Sequence, residues 1–101
     1  MDRLIETLRT VLEGYTGEAL NGSSSLTESK DGMTFTVVSI GYLPDKRIVD
    51  AGLIVRVVRD RIIIERDMND KPLVEALLQA HIPRQHIVLA YAGESAEVTA
   101  A

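Results

Sequence analysis

The sequence contains no cysteine and no tryptophan. Without cysteine there are no disulfides, no thiol nucleophile and no cysteine–zinc site, and the chain suits a cytosolic setting. Aromatic residues make up 4% of the chain against 46% hydrophobic residues overall, so a core must be aliphatic, built from Leu, Ile and Val. A basic excess is also missing: 11 Lys and Arg face 15 Asp and Glu, for a net charge of −4. Proteins that grip DNA by its phosphates trade counterions for Lys or Arg, so this balance argues against a general DNA binder. No apolar run approaches the roughly 18–20 residues that span a bilayer. The acid-laced start MDRLIETLRTVLEGY is not a signal peptide. The expectation is one soluble cytoplasmic domain over residues 1–101, since a chain of this length is short for two cores.

What is present has a clear order. Leu4, Leu8, Val11 and Leu12 recur at helical spacing with Ile5 beside them, predicting an amphipathic helix over residues 2–14, capped by Asp2 and ended by Gly14. Residues 21–32, NGSSSLTESKDG, read as a loop with at most a short edge strand near Leu26 and Thr27. MTFTVVSIGY, residues 33–42, is β-branched and aromatic and reads as a strand, followed by a turn at Pro44-Asp45. A second strand runs from Arg47 to Val58, with a bulge or bend at Ala51-Gly52, and a third covers residues 61–66. A second helix starts near Pro72, capped by Asn69 or Asp70. Leu73, Val74, Leu77 and Leu78 give it an apolar face, and Ile82-Pro83 stops it. HIVLAY, residues 86–91, is a last short strand, and residues 92–101 are a tail with no strong signal, expected to be mobile. The predicted fold is α+β: a mainly antiparallel sheet, a three-strand meander plus a short C-terminal strand, with helices packed on one face.

The segment IVRVVRDRIIIERD, residues 54–67, carries four arginines in an aliphatic run. A two-residue turn at Arg59-Asp60 pairs Val58 with Arg61, Val57 with Ile62, Arg56 with Ile63 and Val55 with Ile64. Such a turn wants positive φ, which Asp tolerates better than Arg. Leu53, Val55, Val57, Ile62 and Ile64 then form a core face that ends at Arg66. Ile54, Arg56, Val58, Arg61, Ile63 and Glu65 form a mixed face. The arginines are therefore not a single DNA-reading ribbon. Ile54, Val58 and Ile63, joined by Val38 and Ile40 next door, make an apolar sheet face rimmed by charge, the kind of surface that associates. The expected use is a homo-oligomer, a dimer by the prevalence of two-fold symmetry.

From Val37 to Tyr91 the segments resemble the XisI-like family, the controlling factors for excision of the fdxN element in cyanobacteria. The family's Gly-Trp followed by an Arg-bearing turn is matched by Gly41-Tyr42 and then Lys46-Arg47. Its Lys-Ile-Trp-Ile-Gln strand is matched by Arg61 to Glu65, and its Asp and Thr-Glu helix start by Asp67 and Asn69-Asp70. Its Ile-Pro-x-x-x-Ile-Val-Leu signature is matched by Ile82-Pro83 and Ile87-Val88-Leu89. The resemblance covers roughly residues 33–91. Tyr42 and Ile63 replace the two tryptophans, Arg59-Asp60 replaces an Asp-Gly turn, His81 replaces the Gly that ends the helix, and the tail lacks the family's basic motif. The resemblance implies a small non-enzymatic accessory factor that needs no cofactor. It would work beside a site-specific recombinase and a XisH-like, nuclease-related protein, and contact DNA indirectly. Lys46, Arg47, Arg56 and Arg61 are the expected contacts to the partner or to DNA.

Catalytic signals are weak. The two histidines, His81 and His86, lie five apart with Pro83 between them, which does not put them on one helix face as metal ligands. His81 is expected to face solvent at a helix C-terminus. Ser23–Ser25 lack a nucleophile elbow, the glycines form no phosphate loop, and Asp67-Met68-Asn69-Asp70 lacks the closing Glu of a calcium loop. Two alternatives stand beside the main reading: a direct DNA-binding module using the same arginines, and a small enzyme with an unrecognised site.

Overall fold

The computed structural model describes residues 2–95. Helix α1 runs Asp2–Glu13, β1 Gly17–Ala19, β2 Gly22–Glu28, β3 Thr34–Leu43, β4 Lys46–Val58, β5 Arg61–Asp67, α2 Leu73–Gln79 and β6 Ile87–Leu89. Short 3₁₀ turns at Arg84–His86 and Ala90–Ala92 bracket β6. The strands form one sheet in sequence order; the first five are antiparallel, and β6 joins β5 in parallel across the α2 crossover. The α+β class is as the sequence predicts. The sheet is larger than expected: the short edge strand foreseen near Leu26 and Thr27 is part of a seven-residue strand, residues 22–28, paired along β3, with β1 beyond it. GSSSLTE has no period-two apolar pattern; beside its backbone ladder, the Ser24 and Ser39 hydroxyls meet at 2.8 Å, Thr27 Oγ1 donates to Thr36 O at 3.2 Å, and Leu26 packs on the core. The last strand is trimmed from the expected 86–91 to Ile87–Leu89.

One buried cluster joins α1 (Ile5, Leu8, Leu12) and α2 (Leu73, Leu77) to Phe35, Val37, Leu53, Val55, Val57, Ile62, Ile64 and Ile87 of the sheet. These are the positions that the 3.6 and 2.0 periodicities select. Gly14 closes α1, its N–H donating to Val11 O at 3.1 Å. The helix begins at Asp2, whose side chain, offered as a cap, lies outside the described residues. Arg9 Nε donates to Glu28 Oε2 at 2.8 Å, tying α1 to β2, and that hydrogen bond holds the Glu28 carboxyl below the usual carboxylate range. Tyr15 donates its hydroxyl to Lys71 O at 2.9 Å, anchoring the approach to α2.

Two bulges set which residues share a face. Gly52 is the extra residue between Ala51, opposite Val38, and Leu53, opposite Val37, where a bulge was expected. Glu65 is the extra residue on β5: Ile64 faces Val55, but Arg66 faces Ile54 and Asp67 faces Leu53. Arg66 therefore does not end the core face, as unbroken alternation predicts; it stands beside Ile54 on the opposite side. Asp67 takes the helix side and caps the chain there. Its Oδ2 accepts from Leu73 N at 2.7 Å and its Oδ1 from Asn69 N at 3.1 Å. Asn69 and Asp70 are not the cap, and Pro72 occupies the N-cap position. At the other end of α2, His81 N donates to Leu78 O and Ile82 N to Leu77 O, a Schellman closure. His81 takes the left-handed position with φ 70°, where glycine is usual. In the β4–β5 turn it is Arg59, not Asp60, that takes positive φ, at 59°.

Candidate interaction surface

The side of the sheet away from the core cluster carries the residues singled out above. The hairpin register is as predicted, Val58 with Arg61 through Val55 with Ile64. Arg56 Nε donates to Glu65 Oε2 at 2.6 Å, pairing two residues that unbroken alternation already places on this side. Arg66 reaches Asp50 at 3.5 Å, so it too is partly neutralised. Arg61 lies opposite Val58 and is half-buried, with no ion pair among the described residues. Lys46 and Arg47 are exposed and likewise unpaired among the described residues. They begin β4, nine residues before Arg56, which at the rise of a strand separates them by about 30 Å. The four basic residues therefore form two separate places.

Of the expected apolar face, Ile54, Val58, Val38 and Ile40 are half-buried. Ile63 is not part of an exposed face: it is 0% exposed in the single chain. Its register neighbours are Arg56 and the buried Val88 of β6. The 3₁₀ turn Ala90–Ala92 lies beside β5, so the C-terminal end of the domain shelters a position that looks open when β4 and β5 are considered alone. Arg84 and Glu94 fix that end. Arg84 donates to Ile87 O at 2.7 Å and to Glu94 Oε2 at 2.8 Å, while Glu94 Oε1 accepts from Leu89 N at 2.8 Å. The Leu89 N–H first, and Arg84 second, hold the Glu94 carboxyl below its usual range. Residues 96–101 of the expected tail lie outside the described residues.

Sequence reasoning missed the arm. β4 has 13 residues and β5 only 7, so the first half of β4 has no partner on that side. With β3 and the β1–β2 hairpin it projects from the body, giving extents of 50 × 27 × 25 Å. Tyr42, Leu43, Ile48 and Val49 are exposed on it, and Leu20 is 98% exposed in the β1–β2 turn. Val49 faces Ile40 across the ladder, so apolar surface runs from the mixed face onto the arm. The mismatch in strand length was the available signal.

Among the described residues, no three His, Asp or Glu side chains come together to hold a metal ion, and no helix is long and apolar enough to cross a membrane. A family model described as XisI protein matches residues 2–99. The chain is similar in structure to a XisI-like protein from Anabaena variabilis ATCC 29413, at 14% identity and a TM-score of 0.68, covering 87% of this chain and 83% of that one. It is also similar to the fdxN element excision controlling factor XisI of the same organism, at 19% identity and a TM-score of 0.65, covering 86% and 88%. No curated protein matches the chain.

Proposed function

Since the chain belongs to the XisI family, we propose that it is a cytoplasmic, non-enzymatic controlling factor for site-specific DNA excision that acts by protein contact with a XisH-like nuclease or a recombinase. The observation that carries this reading is the match over residues 2–99. The reading draws on the role named for the structural relative, an excision controlling factor. Charge supports contact with protein over contact with DNA. The net charge is −4, and two of the sheet arginines, Arg56 and Arg66, already have carboxylate partners. The proposed contacts are Lys46 and Arg47 on the arm and Arg56 and Arg61 on the body, two stations of one elongated surface. DNA is reached through the partner, and the apolar strip between the stations serves a second copy of the chain.

The test is affinity capture of the tagged chain from its native lysate with nuclease added, followed by mass spectrometry. Recovery of a XisH-like protein or a recombinase, lost in the Arg56→Glu/Arg61→Glu and Lys46→Glu/Arg47→Glu variants, is the expected result. Capture that needs DNA and weakens steeply with salt would instead assign direct phosphate contacts.

A further inference from the structure

Away from the sheet face and the arm, a pocket of about 480 Å³ opens where the first turns of α1, the end of α2 and the β4–β5 turn meet. Its size is that of a small-molecule site. Both histidines of the chain line it, His81 and His86, together with Arg3 and Asp60. Five positions apart and interrupted by Pro83, they looked unrelated in sequence; the Schellman turn and the following 3₁₀ turn bring them to one cavity. Backbone strain gathers here as well. Among the described residues only Arg59 and His81 are non-glycine residues with positive φ, and one precedes Asp60 while the other lines the pocket. Strained positions concentrate where a site over-determines the backbone.

The hydrogen-bonding groups favour an anion. Arg3 brings a guanidinium with five N–H donors and has no carboxylate partner among the described residues. His86 Nδ1 lies 2.9 Å from the Asp60 carbonyl oxygen; since a carbonyl only accepts, that nitrogen carries the proton. The same contact occupies the Asp60 carbonyl. Of the carbonyls at the end of α2, three are taken as well, Ala76 and Leu77 by Ala80 N, Leu77 again by Ile82 N, and Leu78 by His81 N. A cation would find one carboxylate, Asp60, whose Oδ2 lies 3.7 Å from His86 Nδ1. Leu4 and Ile82 supply an apolar wall.

We propose that this pocket binds a small organic oxyanion, its carboxylate or phosphate held by Arg3 and His81 and its apolar body laid on Leu4 and Ile82. The inference stands apart from the proposed excision role, because it uses the helix layer and none of the sheet-face residues. The experiment is NMR titration of the ¹⁵N-labelled full chain with benzoate, phenyl phosphate and, as a neutral control, benzyl alcohol. Either anion is expected to move the amides of Leu4, Asp60 and His81 saturably, the tighter one identifying a carboxylic acid or a phosphate ester as the ligand class. Arg3→Ala, a change at an exposed position, and His81→Asn, which keeps a residue tolerant of positive φ, are each expected to weaken binding about fivefold or more by removing a charge-assisted or directional donor. The proposal is overturned if neither anion gives saturable shifts at these residues, if benzyl alcohol binds as tightly, or if both variants bind like the parent chain.

Discussion

At the scale of single residues, the backbone tells more than the side chains do. His81 sits at φ 70° to close α2, and both Schellman hydrogen bonds form around it. An L-residue there keeps its Cβ close to a carbonyl oxygen, a cost of roughly 1–2 kcal/mol that glycine avoids, offset in part by the greater freedom of glycine in the unfolded chain. His81→Gly should therefore stabilise the domain by up to about 1 kcal/mol, raising its melting temperature by a few degrees. A urea denaturation midpoint that stays put or falls would show that the turn does not carry this strain. His81 was visible in the sequence as the residue standing where a helix-ending glycine belongs, and its left-handed geometry follows from that substitution. Asp67 was not recognised as the cap. Unbroken alternation gives Arg66 to the core side, and only the extra residue at Glu65 turns Asp67 toward the Leu73 amide. A bulge leaves no mark in composition when its residue is a glutamate and not a glycine.

At the scale of elements, the strands that bury many side chains were legible, and the one that buries few showed only near Leu26 and Thr27. β3, β4 and β5 place Phe35, Val37, Leu53, Val55, Val57, Ile62 and Ile64 in the core cluster, and their alternation announces it. β2 presents serines and threonines on a half-exposed ribbon, identified by its pairing along β3 and not by an apolar pattern. That pairing can be tested at Gly22, which pairs with Gly41 and where a Cβ would overlap the Ile40 carbonyl oxygen. Gly22→Ala should open the arm locally. The amide of Tyr42, which donates to Asn21 O at 2.7 Å, should lose hydrogen-exchange protection while the global unfolding midpoint barely moves. Retained protection at Tyr42 would mean the ribbon has another route past the overlap. The C-terminal turn gives a prediction in pH. The Glu94 carboxyl, held low chiefly by the Leu89 N–H, takes up its proton later in the folded chain than in the unfolded one. Its contribution is then complete above the ordinary carboxylate range and is lost as pH falls through the folded value. The protection factor of the Leu89 amide should fall over that acid window, and Glu94→Gln should remove the dependence. An unchanged acid profile in the variant would assign the effect to another carboxylate.

At the scale of the whole molecule, the domain is a compact body with a long arm. Its radius of gyration is 14.2 Å, against about 13 Å for an ordinary globular domain of about 100 residues. A projecting antiparallel arm that exposes aliphatic and aromatic side chains is costly to leave in water and open to non-specific pairing unless something covers it. Tyr42 is 52% exposed and Val49 59% exposed, and Val49 lies directly opposite Ile40, one of the residues expected to form the oligomer face. With Ile63 sheltered in the body, the proposed dimer interface is better centred on Val38, Ile40 and Val49 than on the β4–β5 hairpin. Two-fold pairing would lay one arm against its copy and bury both strips at once. Light scattering at micromolar concentration should then report twice the mass of one chain, and Val49→Glu should return it to the single-chain mass, because each interface would gain two desolvated carboxylates close to the symmetry axis. Val49 is outside the core cluster, so the variant should melt as the isolated chain does, without the concentration dependence of the parent. A parent chain already at single-chain mass would remove the dimer and leave the strip to the proposed excision partner. In that case Val49→Glu should abolish capture of a XisH-like protein, while Ile54→Glu and Val58→Glu, nearer the sheltered end of the sheet, should weaken it less.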